Sequence, residues 1–188
     1  MGTTTKLSFE DFQKLQENAD NTVRYELDEG GLLITPSPTA WHNVVRYRLR
    51  RTLTDFVQAN SLGLVLDETD FRLDSLTVRK PDIAYLNKQR MSSIDVHRWP
   101  VEGAPSLAIE VISPSNLMQD TIKKIHQYKA SGTEAVWLVY PDLRLIQIHD
   151  SDGLREFVEP QSIEEHQLFA GSRFSISLAV LFDENLTR

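Results

Sequence analysis

Helix-forming patterns occur at three places along the chain, where apolar residues recur every three or four positions. The clearest covers residues 40–60, where Val45 and Leu49 begin an apolar stripe that continues at the same spacing. This spacing predicts an amphipathic helix. A second helix is predicted over residues 116–131, and a short N-terminal helix is predicted where Ser8 can cap the first turn.

Strand patterns account for much of the remaining sequence. Residues 23–34 predict a β-hairpin around a glycine-containing turn. Further strands are predicted over residues 63–66, 69–73, 78–86, 107–112, 135–139, 143–149, 154–158 and 173–177. The strands 107–112 and 135–139 are almost continuously apolar, which is typical of a central sheet covered on both faces. The sequence therefore predicts an α/β (α+β) fold, a central mixed β-sheet flanked by helices with an N-terminal β-hairpin.

Segment 87–105 is predicted to be an irregular and mostly polar loop. A loop of this length in a compact domain is often functional or mobile. The 188 residues fit one domain spanning 1–188, because domains commonly contain about 100–200 residues.

Composition narrows the classes of function. The chain has no cysteine, which excludes disulfides, zinc thiolate sites and a cysteine nucleophile, and which fits a cytoplasmic location. No apolar run approaches the roughly 18 residues of a membrane helix, so no membrane partner is expected. The net charge of -7 argues against tight, nonspecific binding of nucleic acid. It remains compatible with a nuclease, since a carboxylate-rich metal site is acidic until its ions bind.

Four arginines border the apolar stripe of the predicted helix 40–60. They are Arg46, Arg48, Arg50 and Arg51. A solvated helix border would account for them, and contact with phosphate groups is the alternative.

Glu110 interrupts an otherwise apolar strand. A buried carboxylate is costly unless it is paired or bound to a metal. Simple strand alternation would turn Glu110 towards water. Its neighbours on the same face, Ala108 and Ile112, are apolar, which favours a buried carboxylate.

Asp82 follows Pro81 at the start of another apolar run. Proline cannot donate a ladder hydrogen bond, so it suits a sheet edge or a bulge. A bulge can re-aim the next side chain into a site. The proline–aspartate pair alone is a weak signal, because Pro141-Asp142 has the pattern of an ordinary turn.

Two further charged residues have alternative interpretations. Asp120, Lys124 and Tyr128 lie on one face of the second predicted helix, so Lys124 either pairs with Asp120 or contacts a phosphate or an attacking water. Glu26 in the hairpin either faces solvent or contributes an outer carboxylate to a metal site.

The ordered set of these residues resembles the PD-(D/E)XK nuclease superfamily, and more closely the Uma-two family of endonucleases, a domain of unknown function. The resemblance covers about residues 7–182 and implies a restriction-endonuclease-like fold. The matching positions are Tyr25-Glu26-Leu27, His42, Pro81 to Ala84, Glu110 to Ser115, Asp120, Lys124, Tyr128, Gly132 and Glu134 to Val139.

The resemblance implies a role for each matching acid and base. Asp82 and Glu110 would be the acids of the first and second motifs and would bind Mg²⁺, or Mn²⁺, together with the carbonyl of Val111. The superfamily usually carries lysine two residues after the second acid, where this chain has Ile112. The resemblance therefore selects Lys124 on the following helix as the catalytic lysine.

The other residues near the expected site are Lys123, Glu26, Tyr128 and His42. Lys123 is a poorer match than Lys124 because it points about 100° away around the helix. Glu26 would be a further acid, and Tyr128 lies on the helix face of Lys124. His42, at the start of the long helix, either lines the cleft or has a capping or surface role.

Two functions follow as hypotheses. The first is a metal-dependent endonuclease that hydrolyses phosphodiester bonds in DNA, acting as a homodimer because cutting duplex DNA often uses paired sites. The second is a catalytically weak or inactive protein of the same fold that acts as a binding or self-assembling module. The net charge and Ile112 favour the second, whereas the joint presence of Asp82, Glu110 and Lys124 favours the first.

Overall fold

The computed structural model describes residues 6–17, 23–35, 37–114 and 116–185. Its helices are α1 (Phe9–Glu17), α2 (Ala40–Ala59), α3 (Lys88–Ser93), α4 (Met118–Ala130) and α5 (Leu178–Leu181). Its strands are β1 (Arg24–Asp28), β2 (Gly31–Thr35), β3 (Gly63–Asp67), β4 (Phe71–Asp74), β5 (Thr77–Arg79), β6 (Ile83–Asn87), β7 (Val101–Glu102), β8 (Leu107–Val111), β9 (Ala135–Tyr140), β10 (Leu145–Asp150), β11 (Gly153–Val158), β12 (Ser162–Glu165) and β13 (Phe174–Ser177).

The larger sheet has six strands in the order β11-β10-β9-β8-β6-β3. Strands β8 and β9 run parallel, and the other neighbours run antiparallel. Parallel neighbours need a crossover connection, and α4 supplies it between β8 and β9. This mixed sheet with helices on its faces confirms the predicted fold class.

Helix α2 covers one face of the six-stranded sheet with its apolar stripe. Thr39 caps the helix by accepting a hydrogen bond from the backbone amide of His42 at 3.2 Å. Val45 and Leu49 are fully buried against the sheet, where β8 contributes Ile109 and Val111 to the same core. The helix therefore has the extent and the buried face that its periodicity predicts.

Helix α4 covers the opposite face and forms a smaller core. Ile125 and Tyr128 of the helix pack against Ala108, Val136 and Leu138 of the sheet. Residues two apart in a strand share a face, so Glu110 lies on the same side of β8 as Ala108, beneath α4.

A second sheet has five strands in the order β2-β1-β5-β4-β7. Strands β1 and β2 form the predicted antiparallel hairpin. Helix α1 packs on this sheet through Phe12, which is buried with Leu27 and Val78. Ser8 caps α1 as predicted, because its hydroxyl accepts a hydrogen bond from the amide of Asp11 at 3.1 Å.

The continuous strand predicted over residues 78–86 is wrong. The segment contains two strands that belong to different sheets, β5 in the five-stranded sheet and β6 in the six-stranded one. The break falls at Pro81 and Asp82, because proline cannot donate a ladder hydrogen bond. Pro81 does not mark a sheet edge, since β6 lies between β8 and β3.

The irregular loop predicted over residues 87–105 is also wrong, because it contains α3 and β7. The side chain of Asn87 caps α3 by accepting a hydrogen bond from the amide of Arg90 at 2.8 Å. None of the side chains of α3 is buried, so the helix has no apolar stripe that periodicity could reveal.

Other element boundaries differ less from the prediction. Helix α4 begins two residues later than predicted, at Met118, and Ser115 lies outside the described residues. Strand β12 was not predicted, and it pairs with β13 in a separate two-stranded sheet.

The four arginines of α2 all contact other groups of the protein. Arg46 pairs with Glu68, Arg50 with Asp67 and Arg51 with Asp55, while Arg48 donates to the backbone carbonyls of Leu181 and Asp183. These contacts favour the interpretation of a helix border over that of a phosphate-binding row.

Candidate metal and catalytic site

The sheet register brings Asp82 beside Glu110. Ile83 of β6 pairs with Ile109 of β8 in antiparallel register. Continuing that register by one residue sets Asp82 opposite Glu110, and cross-strand partners point to the same face of a sheet. The exposed fractions are 2% for Asp82 and 6% for Glu110. Two acids that are distant in sequence thus meet under α4.

Asp82 is held by three hydrogen-bonding groups. Its Oδ1 atom accepts a hydrogen bond from Nη1 of Arg24 at 2.7 Å, and its Oδ2 atom accepts one from the amide of Val111 at 2.7 Å. Nε2 of His42 lies 3.5 Å from Oδ2. Burial alone would raise the pKa of Asp82, but His42 and Arg24 outweigh it and lower the pKa below its ordinary value. Asp82 is therefore a carboxylate over the whole neutral range.

Glu110 is held by Tyr128 and Lys124 of α4. The Tyr128 hydroxyl donates to Oε1 at 2.9 Å, and Nζ of Lys124 lies 3.3 Å from Oε2. Burial raises the pKa of Glu110 above its ordinary value, and the attraction of Lys124 offsets only part of this effect. The alternative in which Glu110 faces water is excluded by its burial.

Glu26 reaches the same cluster from β1. It is 1% exposed, so the solvent-facing alternative is wrong. Its Oε2 atom lies 3.0 Å from Nζ of Lys124 and 3.3 Å from Nη1 of Arg79, and Oε1 accepts from the amide of Lys80 at 2.8 Å. Burial raises the pKa of Glu26, but Lys124, Arg24 and Arg79 outweigh this effect and lower the pKa to about 2.

The adjacent lysines of α4 point to different acids. Lys124 contacts Glu26 and Glu110, whereas Lys123 lies 2.9 Å from Asp28 and 3.1 Å from Glu29. Successive helical residues are separated by about 100°, which directs the two ammonium groups to different parts of the surface. Lys124 therefore pairs with Glu26 and Glu110, one acid from each sheet. The alternative in which Lys124 pairs with Asp120 is wrong.

His42 is buried beside the end of β8, so neither the capping role nor the surface role describes it. The side chain is 7% exposed, and Nε2 donates to the carbonyl of Val111 at 3.0 Å. Thr39, rather than the His42 side chain, caps α2. The carbonyl predicted to bind a metal is therefore oriented by a hydrogen bond from α2.

Two arginines of the cluster, Arg24 and Arg79, were not identified from the sequence. Arg24 and Glu26 alternate with Tyr25 in β1, so both face the cluster. Arg79 is 1% exposed and contacts Glu26, Asp28 and Gln127. The sequence shows that charged and apolar residues alternate in the hairpin. It does not show that other elements cover the charged face.

The donor atoms suit a magnesium ion. Carboxylate and carbonyl oxygens are its preferred ligands, and one or two carboxylates with waters suffice. Asp82, Glu110 and the Val111 carbonyl provide such a set. Among the described residues no three or more acids or histidines are already arranged around a single ion position. The guanidinium of Arg24 lies between the two acids, 2.7 Å from Oδ1 of Asp82 and 4.0 Å from Oε2 of Glu110.

A small cleft opens beside Glu110 and Lys124. Val111 and Ile112 form part of its floor, and Asn116 and Asp120 lie along its wall at the start of α4. The cleft gives the acid cluster access to a ligand from outside.

No described helix combines the length and apolar character that would let it cross a membrane.

Comparison with known proteins identifies the fold and the family. No curated protein shows a significant sequence match to the chain. Four chains of solved structures match, among them a protein described as "a putative nuclease belonging to DUF820" from Anabaena variabilis. That match has a TM-score of 0.78 at 19% identity and covers 94% of this chain and 97% of the other, which shows a shared fold. The family model described as "Putative restriction endonuclease" matches residues 9–180, and the chain therefore belongs to the Uma2 family.

Proposed function

We propose that the protein is a divalent-metal-dependent endonuclease that hydrolyses phosphodiester bonds in DNA. The meeting of Glu110, Val111 and Lys124 at one cleft, with Asp82 beside Glu110 in the sheet register, carries this proposal. Family membership supports the same class of reaction.

The proposed metal ligands are Asp82, Glu110 and the carbonyl of Val111, with Mg²⁺ as the ion and Mn²⁺ as a substitute. A bound divalent cation supplies an activated water and offsets charge at the phosphate. Asp82 suits the ligand role because its lowered pKa keeps it ionised. His42 fixes the Val111 carbonyl, and Tyr128 fixes Glu110.

Lys124 is the proposed catalytic lysine. Its ammonium, 3.0 Å from Glu26 and 3.3 Å from Glu110, lies at the cleft where the phosphate enters. There it stabilises negative charge that develops on the phosphate and orients the attacking water. Glu26 positions the ammonium through their ion pair.

Plasmid relaxation with Mg²⁺ or Mn²⁺ tests the proposal. Lys124→Ala should lower the cleavage rate by about 100-fold or more, the typical effect of losing one such charge stabiliser. Asp82→Asn should remove cleavage and keep the shape of the side chain. Lys123→Ala is the matched control and should cut within about twofold of the wild type, since surface changes away from such features have small effects.

Three outcomes would reject the assigned site. They are cleavage by Asp82→Asn at the wild-type rate, equal loss in Lys123→Ala and Lys124→Ala, or cleavage that persists in EDTA.

A binding or self-assembling module without nuclease activity is the second candidate. The observation that favours it is the internal pairing of the cluster, in which Arg24, Lys124 and Arg79 face Glu26, Asp82 and Glu110. This candidate predicts no cleavage with either ion, and self-association or DNA binding that Lys124→Ala leaves unchanged.

We also propose a homodimer in the cytoplasm, with residues 1–188 as one domain. The chemistry of duplex cleavage supports the dimer, because two strands require two cutting events. Sedimentation velocity with and without duplex DNA would measure the assembly state, and a monomer in both conditions would contradict it.

A further inference from the structure

We propose that Arg24 is a competing counter-ion of the metal pocket. Its guanidinium occupies the position between Asp82 and Glu110 when no divalent cation is bound, and it leaves that position when the cation enters. The inference rests on the proposed function, since it assumes that these two acids are the metal ligands.

The position of the Arg24 guanidinium supports this role. Nη1 lies 2.7 Å from Oδ1 of Asp82, while Nη2 lies 3.7 Å from Oε1 of Glu26 and 4.0 Å from Oε2 of Glu110. One cationic group is thus turned towards three acids, two of which are the proposed ligands. A metal ion that bound both of these acids would need the space in which the guanidinium now lies.

Arg24 is less firmly held than Arg79, the buried arginine of the cluster. Its Nη2 atom is buried and makes no hydrogen bond within the part of the chain that the structure describes. Its side chain is 20% exposed, whereas that of Arg79 is 1% exposed and bonds Glu26, Asp28 and Gln127. An unsatisfied buried donor carries a free-energy cost, which offsets part of what Arg24 loses by moving out.

The charge balance of the cluster also favours the departure of Arg24 when a metal ion binds. Glu26, Asp82 and Glu110 supply three negative charges, and Arg24, Lys124 and Arg79 supply three positive ones. A divalent cation added to this balanced cluster would create a large positive excess in a buried site. If Arg24 moves out, the excess is one charge, which a single phosphodiester neutralises. The displaced guanidinium also gains a phosphate oxygen as a partner.

Two consequences follow for metal binding. The metal should bind weakly to the free wild-type protein, because it must displace Arg24. It should bind more tightly when a phosphodiester is present, because the same displaced group then has an acceptor. Arg24 would thereby couple occupation of the metal site to the arrival of substrate.

The test is a Mn²⁺ titration of the metal-free, full-length protein, followed by electron paramagnetic resonance. Arg24→Gln should bind Mn²⁺ about tenfold or more tightly than the wild type, since the ion no longer breaks a charge-assisted hydrogen bond. Arg24→Lys keeps the charge but lacks the guanidinium group with its two parallel donors. Its Mn²⁺ affinity should lie between those of the wild type and Arg24→Gln. Arg155→Gln is the matched control, because Arg155 also bridges two acids, Asp150 and Glu165, and it should leave the affinity unchanged.

Folding of each variant is checked by circular dichroism, and Arg24→Lys alone decides the test if Arg24→Gln does not fold. A second readout is the rise in melting temperature on adding Mn²⁺, which should be larger in the Arg24 variants than in the wild type. Equal or weaker Mn²⁺ binding by the Arg24 variants, with binding lost in Asp82→Asn, would overturn the inference and leave the proposed function standing. Absence of Mn²⁺ binding in every variant would overturn both.

Discussion

The two faces of the six-stranded sheet use the same strands for different purposes. On the α2 side, β8 and β9 contribute Ile109, Val111 and Trp137 to a large apolar core. On the α4 side, the alternate residues of β8 include Ala108 and Glu110. Alternation of side chains lets one strand stabilise the fold with one face and hold charged groups with the other.

The α2 face mainly stabilises the fold, whereas the α4 face carries the charged groups of the candidate site. The α2 face has no need of charge, because close packing of apolar groups stabilises it directly. The α4 face buries Asp82 and Glu110, and Glu26 joins them from β1. Desolvation of these acids opposes folding, so they need matching cations nearby. Substitution of a core residue on the α2 face should therefore destabilise the protein, whereas substitution of an acid should act in the direction that its own pairing sets.

The largest effect on stability is expected on the α2 face. Trp137→Ala removes a fully buried indole that packs near Phe174, and it should lower the free energy of unfolding by about 3–5 kcal/mol. Urea denaturation of the metal-free protein measures this change. Leu154→Ala, at a side chain that is 59% exposed on β11, is the control and should change stability by less than about 0.5 kcal/mol. Similar losses in both variants would contradict the assignment of the main core to this face.

The next effect concerns Glu26, which reaches the acid cluster from β1. Glu26→Gln removes the acid that Lys124 and Arg79 share, which leaves their charges less well balanced, and it should cost about 3 kcal/mol at pH 7. The same denaturation experiment in EDTA measures the loss. A cost near zero would mean that the ion pairs of Glu26 contribute nothing to the fold.

The stability of the protein at low pH should also depend on Glu26. The pKa of Glu26 is about 2 in the folded protein, against an ordinary value of 4.5. A carboxyl group whose pKa falls on folding stabilises the protein above its unfolded pKa, and that stabilisation is lost as the pH falls from about 5 towards 2. Glu26→Gln should therefore show a shallower loss of stability over this range than the wild type. Parallel pH profiles for the two proteins would contradict this account.

The smallest effect is expected at Glu110 and has the opposite sign. Burial raises the pKa of Glu110, so its ionised form opposes folding at neutral pH. Glu110→Gln keeps the shape and removes the charge, and it should raise the free energy of unfolding by about 1 kcal/mol while cleavage is lost. Thermal denaturation in EDTA together with plasmid relaxation tests both parts. A less stable variant that still cuts DNA would reverse the assigned roles.

Asp82 and Glu110 could be selected from the sequence because each interrupts a local pattern. Glu110 stands in an apolar strand, and Asp82 follows a proline that ends strand pairing. Such signals depend only on nearby residues. The direction of Lys124 relative to Lys123 was likewise available from helix geometry.

Arg24 and Arg79 could not be selected in the same way. A charged residue that alternates with apolar ones in a hairpin has the pattern of a solvated face. Whether that face is covered depends on how β1 and β5 lie against α4, and these contacts join residues far apart in the chain. The role of His42 stayed open for a related reason, since its partner Val111 lies on another element. Helix α3 was missed because it lacks a buried stripe.

Crystals of the wild-type protein grown with Mn²⁺ and a short DNA duplex would test the central claim most directly, through anomalous difference density for manganese. The account predicts one peak bonded to Asp82, Glu110 and the Val111 carbonyl at about 2.1 Å, the range for small hard cations with oxygen ligands. Arg24 should then be turned out of the position between the two acids. A structure with no manganese peak there, and with Arg24 still between Asp82 and Glu110 beside bound DNA, would contradict the account.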